Sequence, residues 1–324
     1  MESAPAGESV LYLGVDIGGT KVAFRAETDA ECVHESAFAW HPRHSAAQDL
    51  RQLADAVDEL RARLGASFRA VGVAMPATVE PDGHVRAWPG RPEWTGTDLG
   101  AALRPLFPGA ALAWADDGDL GALAESRDSG CDDLLYLGVG TGVGGGLVLG
   151  GEPCPGPGRG SFEAGHMVVE LSGPRCDCGR RGCLQALASG PATLRRAHRL
   201  RGSAVTFDDL LTAWGDGRPW AVTALRRTCR ALAAAAVGVQ ELLRPRLVRV
   251  GGGFASGIPG FVGLVADHVT ELARPGLPPL PVERAALGGL SSLHGAVSLA
   301  RLIAPRPFPD SAERRDNSRE SLSG

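Results

Sequence analysis

Short apolar runs alternate with glycine turns and helical stretches along the chain. Runs such as LYLGVD (11–16) and LLYLGVG (134–140) predict buried strands that end at glycines. Between residues 45 and 64, apolar side chains recur every three or four positions, which predicts an amphipathic helix. Similar spacing predicts helices within 191–243 and at 291–303. Strands and helices therefore alternate, as in an α/β protein.

The order of the predicted elements repeats. Each half begins with a strand, a glycine turn and a second strand, and continues with helices and a further strand. This order predicts two α/β domains of related design with a ligand cleft between them. We expect the domains to span residues 1–116 and 117–290, with a helix at about 291–304 packing back on the first. We expect residues 1–9 to be a flexible lead-in and residues 305–324, which are polar and rich in proline and serine, to be a disordered tail.

Composition narrows the class of protein. The chain has 324 residues, 44% of them apolar, and a net charge of −4, so it is globular with no general attraction to nucleic acid or membranes. No apolar run reaches membrane-spanning length, and the N-terminus lacks the features of a secretory signal. Seven cysteines, three of them clustered, indicate metal ligands and free thiols in a reducing, cytoplasmic setting. The scattered Cys32, Cys131, Cys154 and Cys229 are expected to be small core residues.

A metal-ligand pattern lies between residues 163 and 185, in EAGHMVVELSGPRCDCGRRGCLQ. It combines one imidazole with three thiols in a C-x-C-x4-C spacing, from His166, Cys176, Cys178 and Cys183. Four such ligands complete a tetrahedral zinc site and leave no open position for catalysis. The pattern predicts a structural zinc ion. Three free cysteines grouped by chance are the alternative, which the spacing disfavours.

Three glycine turns close buried strands. The first (residues 18–20) lies in DIGGTK, the second (140–146) is GTGVGGG, and the third (251–253) opens a helix. Backbone N–H groups in such turns can surround the phosphates of ATP, because no side chain blocks their approach. Any single turn could be only a tight hairpin or helix entry, but three together favour nucleotide binding. The predicted nucleotide-binding residues are Asp16, Gly18, Gly19, Thr20, Lys21, Gly140, Thr141, Gly142, Gly251, Gly252 and Gly253.

Carboxylates gather where the predicted strand at 111–115 meets a helix. We call Asp116, Asp117 and Asp119 the acidic corner. Asp117 is the best candidate for the general base that takes a proton from a hydroxyl attacking the γ-phosphoryl group. One aspartate of this corner is also expected to cap the helix, and the sequence does not decide which. Asp16 is placed to hold Mg²⁺ through water.

These motifs, together with Glu163-Ala-Gly-His166 and the closing Leu287-Gly-Gly…His294-Gly-Ala296, resemble the ROK family (repressor, open reading frame, kinase) over about residues 10–303. The resemblance implies a two-domain, actin-like ATPase (ribonuclease H-like) fold. It also implies a homodimer that uses ATP and Mg²⁺ to phosphorylate a sugar. Asp117 would be the base, and Glu163 and His166 would contact sugar hydroxyls, with His166 also bound to zinc.

The chain departs from the family's usual pattern at substrate-facing positions. Asp116 replaces a usual asparagine and Gln185 a usual glutamate. Gly90 stands in the tryptophan loop (residues 81–96) where a sugar-binding asparagine is common, and Ala77 where a glycine is usual. Because the base and the glycine turns are kept, a changed substrate explains these departures better than lost activity.

The function expected from the sequence is an ATP-dependent kinase of a hexose or a sugar-like molecule. A C7-cyclitol kinase of aminocyclitol biosynthesis is one alternative, and a non-catalytic sugar-binding regulator is another. The family's repressors carry a DNA-binding segment before the first glycine turn. Here that turn follows Asp16, so the kinase is the favoured interpretation.

Overall fold

The computed structural model describes residues 10–41, 43–80, 82–88, 90–156 and 159–305. The expected lead-in, and all but the first residue of the expected tail, lie outside these residues. Twelve strands form in chain order: β1 (Leu11–Ile17), β2 (Lys21–Glu27), β3 (Cys32–Ala39), β4 (Phe68–Ala74), β5 (Thr78–Val79), β6 (Val85–Ala87), β7 (Ala111–Ala115), β8 (Leu134–Val139), β9 (Val143–Leu149), β10 (Glu152–Cys154), β11 (Leu247–Gly251) and β12 (Val282–Arg284).

The described ranges also contain ten α-helices. They are α1 (Ala46–Leu64), α2 (Leu99–Leu103), α3 (Asp117–Ser129), α4 (Leu184–Ala188), α5 (Gly190–Arg201), α6 (Phe207–Gly215), α7 (Pro219–Leu243), α8 (Gly253–Ser256), α9 (Phe261–Glu271) and α10 (Ser291–Ile303). Within the described part of the chain, none is both long and apolar enough to cross a bilayer.

Two five-stranded sheets share one topology. The first has the order β3-β2-β1-β4-β7 and the second the order β10-β9-β8-β11-β12. In each, an antiparallel hairpin (β1–β2 or β8–β9) continues through a third antiparallel strand on one side, while two parallel strands extend the sheet on the other. The repeated order inferred from the sequence is therefore present as two matching sheets.

Each sheet has its own hydrophobic core. One core joins the first sheet to α1 and the tryptophan loop, and the other joins the second sheet to α4–α9. Helix α10 packs on β1, β4 and β7 of the first sheet and against α3. The division at residues 116 and 117 remains our proposal for the domain boundary.

Helix α3 connects the two sheets at the acidic corner. It begins at Asp117, directly after β7, and its first turn packs against β9. The packing is so close that a Cβ atom on Gly118 would lie 2.4 Å from the carbonyl oxygen of Gly145. Only glycine permits this approach. The close packing brings Asp117, the proposed base, beside β9, which follows the second glycine turn.

Some local features were missed or wrongly predicted. Strand β3 was not predicted, because most of its side chains are exposed at a sheet edge and give no clear alternation. The tryptophan loop contains β6 and a short 3₁₀ turn at Pro92–Trp94. Of the four scattered cysteines, only Cys229 lies in the core, whereas Cys32 is exposed and the other two are half-buried.

Candidate active site

Asp16 lies one residue before the end of β1, just ahead of the first glycine turn. The turn is closed by a hydrogen bond from the Gly18 N–H to the Lys21 carbonyl (2.9 Å). Ser292, at the start of α10, donates its hydroxyl to Asp16 Oδ2 (2.7 Å). Burial raises the pKa of Asp16, while Ser292 and Lys21 oppose the rise. The carboxylate is thus half-buried, and desolvation there would favour a bound cation.

The three aspartates of the acidic corner have different positions and hydrogen-bond partners. Asp116 has extended backbone and caps α3, since its Oδ1 accepts the N–H of Gly118 (2.9 Å). Asp117 is the first residue of the helix. Asp119 accepts the N–H of Phe162 through both carboxylate oxygens (3.2 and 3.4 Å), which ties the 161–163 segment to α3. The structure therefore assigns the cap to Asp116.

Burial and mutual repulsion raise the pKa values of these carboxyl groups. Burial, then the charges of Asp117, Asp119 and Glu163, raises the pKa of Asp116 to about 8. Burial, then the charge of Asp16, raises the pKa of Asp117 to about 6. The pKa of Asp119 rises to about 7, chiefly through burial. These pKa values show that carboxyl groups from β1, α3 and the 161–163 segment lie close together. The positive charges nearby are too few to offset the repulsion between them.

The second glycine turn is linked to the segment that follows the cysteines. Gln185, on α4, accepts the N–H of Val143 through its Oε1 (3.2 Å). Gly190, at the start of α5, donates its N–H to the Gly140 carbonyl (2.9 Å). With Oε1 engaged, the side-chain NH₂ of Gln185 is the group left to meet a ligand.

The third glycine turn and Gly90 each pack against one of the other two turns. In the third turn, a Cβ atom on Gly252 would lie 2.5 Å from backbone atoms of Val139, so this turn adjoins the end of β8 and the second turn. Gly90 contacts Gly19 of the first turn. Ala77 is buried between β4 and β5. The three turns and the acidic corner thus lie around the junction of the two sheets.

The cysteine–histidine cluster consists of His166, Cys176, Cys178 and Cys183. One ligand atom from each residue lies within 4.8 Å of the others. Cys178 Sγ and Cys183 Sγ are 3.6 Å apart, and Cys176 Sγ is 3.7 Å from His166 Nδ1. Two sulfurs bound tetrahedrally to zinc would be about 3.8 Å apart, given Zn–S bonds of about 2.3 Å. Number, type and spacing of the ligands therefore fit a zinc ion.

His166 and Glu163 connect this cluster to the acidic corner. His166 ends a short 3₁₀ turn, Ala164–His166, that packs on β9. Nδ1 faces the cysteines, and Nε2 has no hydrogen-bond partner among the residues that the structure describes. Glu163, three residues earlier, accepts the Ser161 hydroxyl (2.8 Å) and contributes to the raised pKa values of Asp116 and Asp117.

Sequence reasoning missed several supporting residues. Ser292, which donates to Asp16, lies 276 positions away in the chain. Arg91 and Asp49 form a buried ion pair beside the first glycine turn. An arginine between the two tryptophans of the loop, Trp88 and Trp94, was a possible signal, but nothing in the sequence identified its partner.

Comparison with known proteins places this site in context. The ROK family model matches residues 12–302. A kanosamine kinase of Amycolatopsis mediterranei (strain S699) is 64% identical over 298 residues, which are 92% of this chain and 98% of that protein.

Two solved structures share the fold. The ROK hexokinase from Thermus thermophilus superposes with a TM-score of 0.81 at 28% identity, over 90% of this chain and 98% of its own. A ROK family glucokinase from Streptomyces griseus, in complex with glucose and AMPPNP, has a TM-score of 0.72 at 27% identity, over 90% and 99% of the two chains. The family match extends over most of the length and over every motif of the site, so this chain belongs to the ROK family.

Proposed function

We propose that this protein is an ATP-dependent kinase that phosphorylates a hydroxyl group of an amino sugar of the kanosamine type. The observation that carries the proposal is the 64% identity to a kanosamine kinase across nearly the whole of both chains. Kanosamine is a glucose in which an amino group replaces the 3-hydroxyl, so it carries a positive charge at neutral pH. The convergence of carboxylates at the acidic corner supports a cationic substrate.

In the proposed reaction, Asp117 acts as general base. It accepts the proton of the substrate hydroxyl as that oxygen attacks the γ-phosphorus of ATP, and ADP leaves. The pKa of about 6 leaves most of the carboxylate ionised at pH 7 yet more basic than an ordinary aspartate. Its position at the start of α3, beside β9, supports a role close to the second glycine turn.

The nucleotide would be held by the glycine turns, with Asp16 holding Mg²⁺. Asp16 fits this role because it is half-buried, accepts only the Ser292 hydroxyl among the described side chains, and lies close enough to raise the pKa of Asp117. Magnesium supplies positive charge to the β- and γ-phosphates when bound. Thr20, Lys21 and Thr141 border the same turns and would contact phosphate oxygens.

A structural zinc would be bound by the cysteine–histidine cluster. It would fix the imidazole of His166 through Nδ1, leaving Nε2 to contact a substrate hydroxyl. Glu163 would accept from a neighbouring hydroxyl. Gln185 would contribute a donor, because its oxygen already accepts from Val143.

Asp116 is our candidate for the partner of the substrate's ammonium group. Its Oδ1 accepts from Gly118, and no protein donor to its Oδ2 is found among the described residues. A carboxyl group whose pKa is raised by desolvation and by neighbouring carboxylates gains most from an added positive charge. Gly90 and Ala77 carry little or no side chain and would leave room for the ring.

The test is ADP release with kanosamine, glucosamine, glucose, N-acetylmannosamine and a C7-cyclitol as acceptors. We expect kanosamine to give the highest kcat/KM. Turnover of the cyclitol alone would replace the proposed substrate, and binding of a sugar without ADP formation would indicate a regulator.

The role of Asp116 is tested by Asp116→Asn. A charge-assisted hydrogen bond contributes roughly 1.5–3 kcal/mol, so the preference for kanosamine over glucose should fall about tenfold or more. An unchanged preference would show that the ammonium binds elsewhere.

We also propose a cytoplasmic homodimer. Light scattering of the purified protein would test the dimer.

A further inference from the structure

A buried ion pair lies behind the first glycine turn and has no part in the proposed chemistry. Arg91 is 5% exposed and Asp49 is fully buried. Arg91 Nη1 donates to both carboxylate oxygens of Asp49 (3.0 and 3.2 Å), and the indole N–H of Trp94 donates to Asp49 Oδ2 (2.9 Å). Moving two charges out of water costs free energy that their attraction does not always recover. Stabilisation of the fold alone is therefore a weak explanation for this ion pair.

The same guanidinium also holds the first glycine turn. Arg91 Nε donates to the Gly19 carbonyl (3.0 Å). Its guanidinium carbon lies 5.2 Å from the ring centre of Trp40, whose indole N–H donates to the Gly18 carbonyl (2.8 Å). Two consecutive carbonyls of the turn are therefore fixed by side chains that contact each other.

Arg91 belongs at the same time to the tryptophan loop. Its backbone N–H donates to the Trp88 carbonyl (2.9 Å). Gly90 packs directly on the first turn, since a Cβ atom added to Gly90 would lie 3.3 Å from the Gly19 Cα. A shift of either segment must therefore move Arg91 or strain its hydrogen bonds.

We propose that Arg91 is a positioning residue that couples the first glycine turn to the tryptophan loop, so that nucleotide and sugar strengthen each other's binding. The inference rests on the proposed function, in which the turn holds ATP phosphates and Gly90 faces the sugar. Lysine cannot replace arginine in this role. One ammonium can pair with Asp49, but it lacks the planar fork that also reaches Gly19.

The experiment is titration calorimetry of kanosamine with and without AMPPNP and Mg²⁺. Coupling between ligand sites is typically 5- to 150-fold, so we expect wild type to bind kanosamine about tenfold more tightly when the nucleotide analogue is present. Arg91→Lys should reduce that ratio to nearly one, and the reciprocal titration of AMPPNP should show the same loss. A purely structural role would lower the folded fraction and leave the ratio unchanged.

The matched control is Arg86→Lys, which alters an exposed arginine paired with Glu80 in the same loop. This variant should keep the wild-type ratio. If Arg91→Lys does not fold, Trp40→Phe decides the question, because it removes the donor to Gly18 and keeps an aromatic ring for the guanidinium.

The outcomes separate the two proposals. A ratio near one in wild type, or an unchanged ratio in Arg91→Lys or, where that does not fold, in Trp40→Phe, would overturn the coupling while kinase activity persists. Absence of both sugar binding and turnover in wild type would overturn the proposed function and the coupling with it.

Discussion

Asp117→Asn is predicted to abolish phosphoryl transfer and also to stabilise the ligand-free protein. Burial and the charge of Asp16 raise the pKa of Asp117 from its ordinary value of 3.8 to about 6. A carboxyl group whose pKa is higher in the folded state contributes stability at low pH. That contribution is fully present below the unfolded pKa and is lost as the pH rises through the folded pKa.

The size of the effect follows from these pKa values. One pKa unit corresponds to about 1.4 kcal/mol, so the ionised Asp117 destabilises the fold by roughly 3 kcal/mol at pH 8. By the same linkage the cost falls to about half of that at pH 5. A neutral amide of the same shape avoids this cost. The asparagine variant should therefore gain about 3 kcal/mol at pH 8 and about half of that at pH 5.

The assay is urea denaturation at both pH values without added Mg²⁺ or nucleotide, together with ADP release in the presence of Mg²⁺. Asp55→Asn, at an exposed position of α1, is the control and should change neither stability nor activity. An inactive variant that is more stable at pH 8 would identify a carboxylate kept for function at the expense of stability. A variant less stable than wild type at pH 8, or one that retains activity, would refute the reasoning.

Two further predictions concern the supports of the site. Glu125→Ala should lower the free energy of unfolding by about 3–5 kcal/mol in urea denaturation, because this fully buried carboxylate accepts the N–H groups of Ala286 and Leu287 and the Ser291 hydroxyl. A loss below 1 kcal/mol would contradict that role. Cys183→Ser should reduce the zinc content from about one ion per chain to none, with a lower melting temperature, as elemental analysis and calorimetry can measure. The exposed Cys32→Ser should retain the metal, and zinc retained by Cys183→Ser would exclude that ligand.

Local sequence patterns predicted most of the fold. Helix α10 spans residues 291–303, as predicted from the spacing of its apolar side chains, and both hairpins lie at the expected glycine turns. The helix and the hairpins are determined by residues that are close in the chain, so local sequence patterns are sufficient to predict them. Strand β3 shows where such prediction fails, because an exposed edge strand does not need alternating apolar residues.

The parts of the site that the sequence did not reveal depend on distant residues. The pairs Arg91–Asp49 and Asp16–Ser292 join segments 42 and 276 positions apart, and only the folded backbone brings them together. The helix cap was a different case. Asp116 and Asp117 are both suited to capping, and the extended backbone at Asp116 decides between them.

The most direct test of the central claim is a competition between equimolar kanosamine and glucose for limiting ATP in one reaction with the wild-type protein. Mass spectrometry of the two sugar phosphates then gives the ratio of their kcat/KM values. We predict that the phosphate of kanosamine exceeds that of glucose at least tenfold. Equal amounts, or an excess of glucose phosphate, would contradict the assignment of this site to an amino sugar.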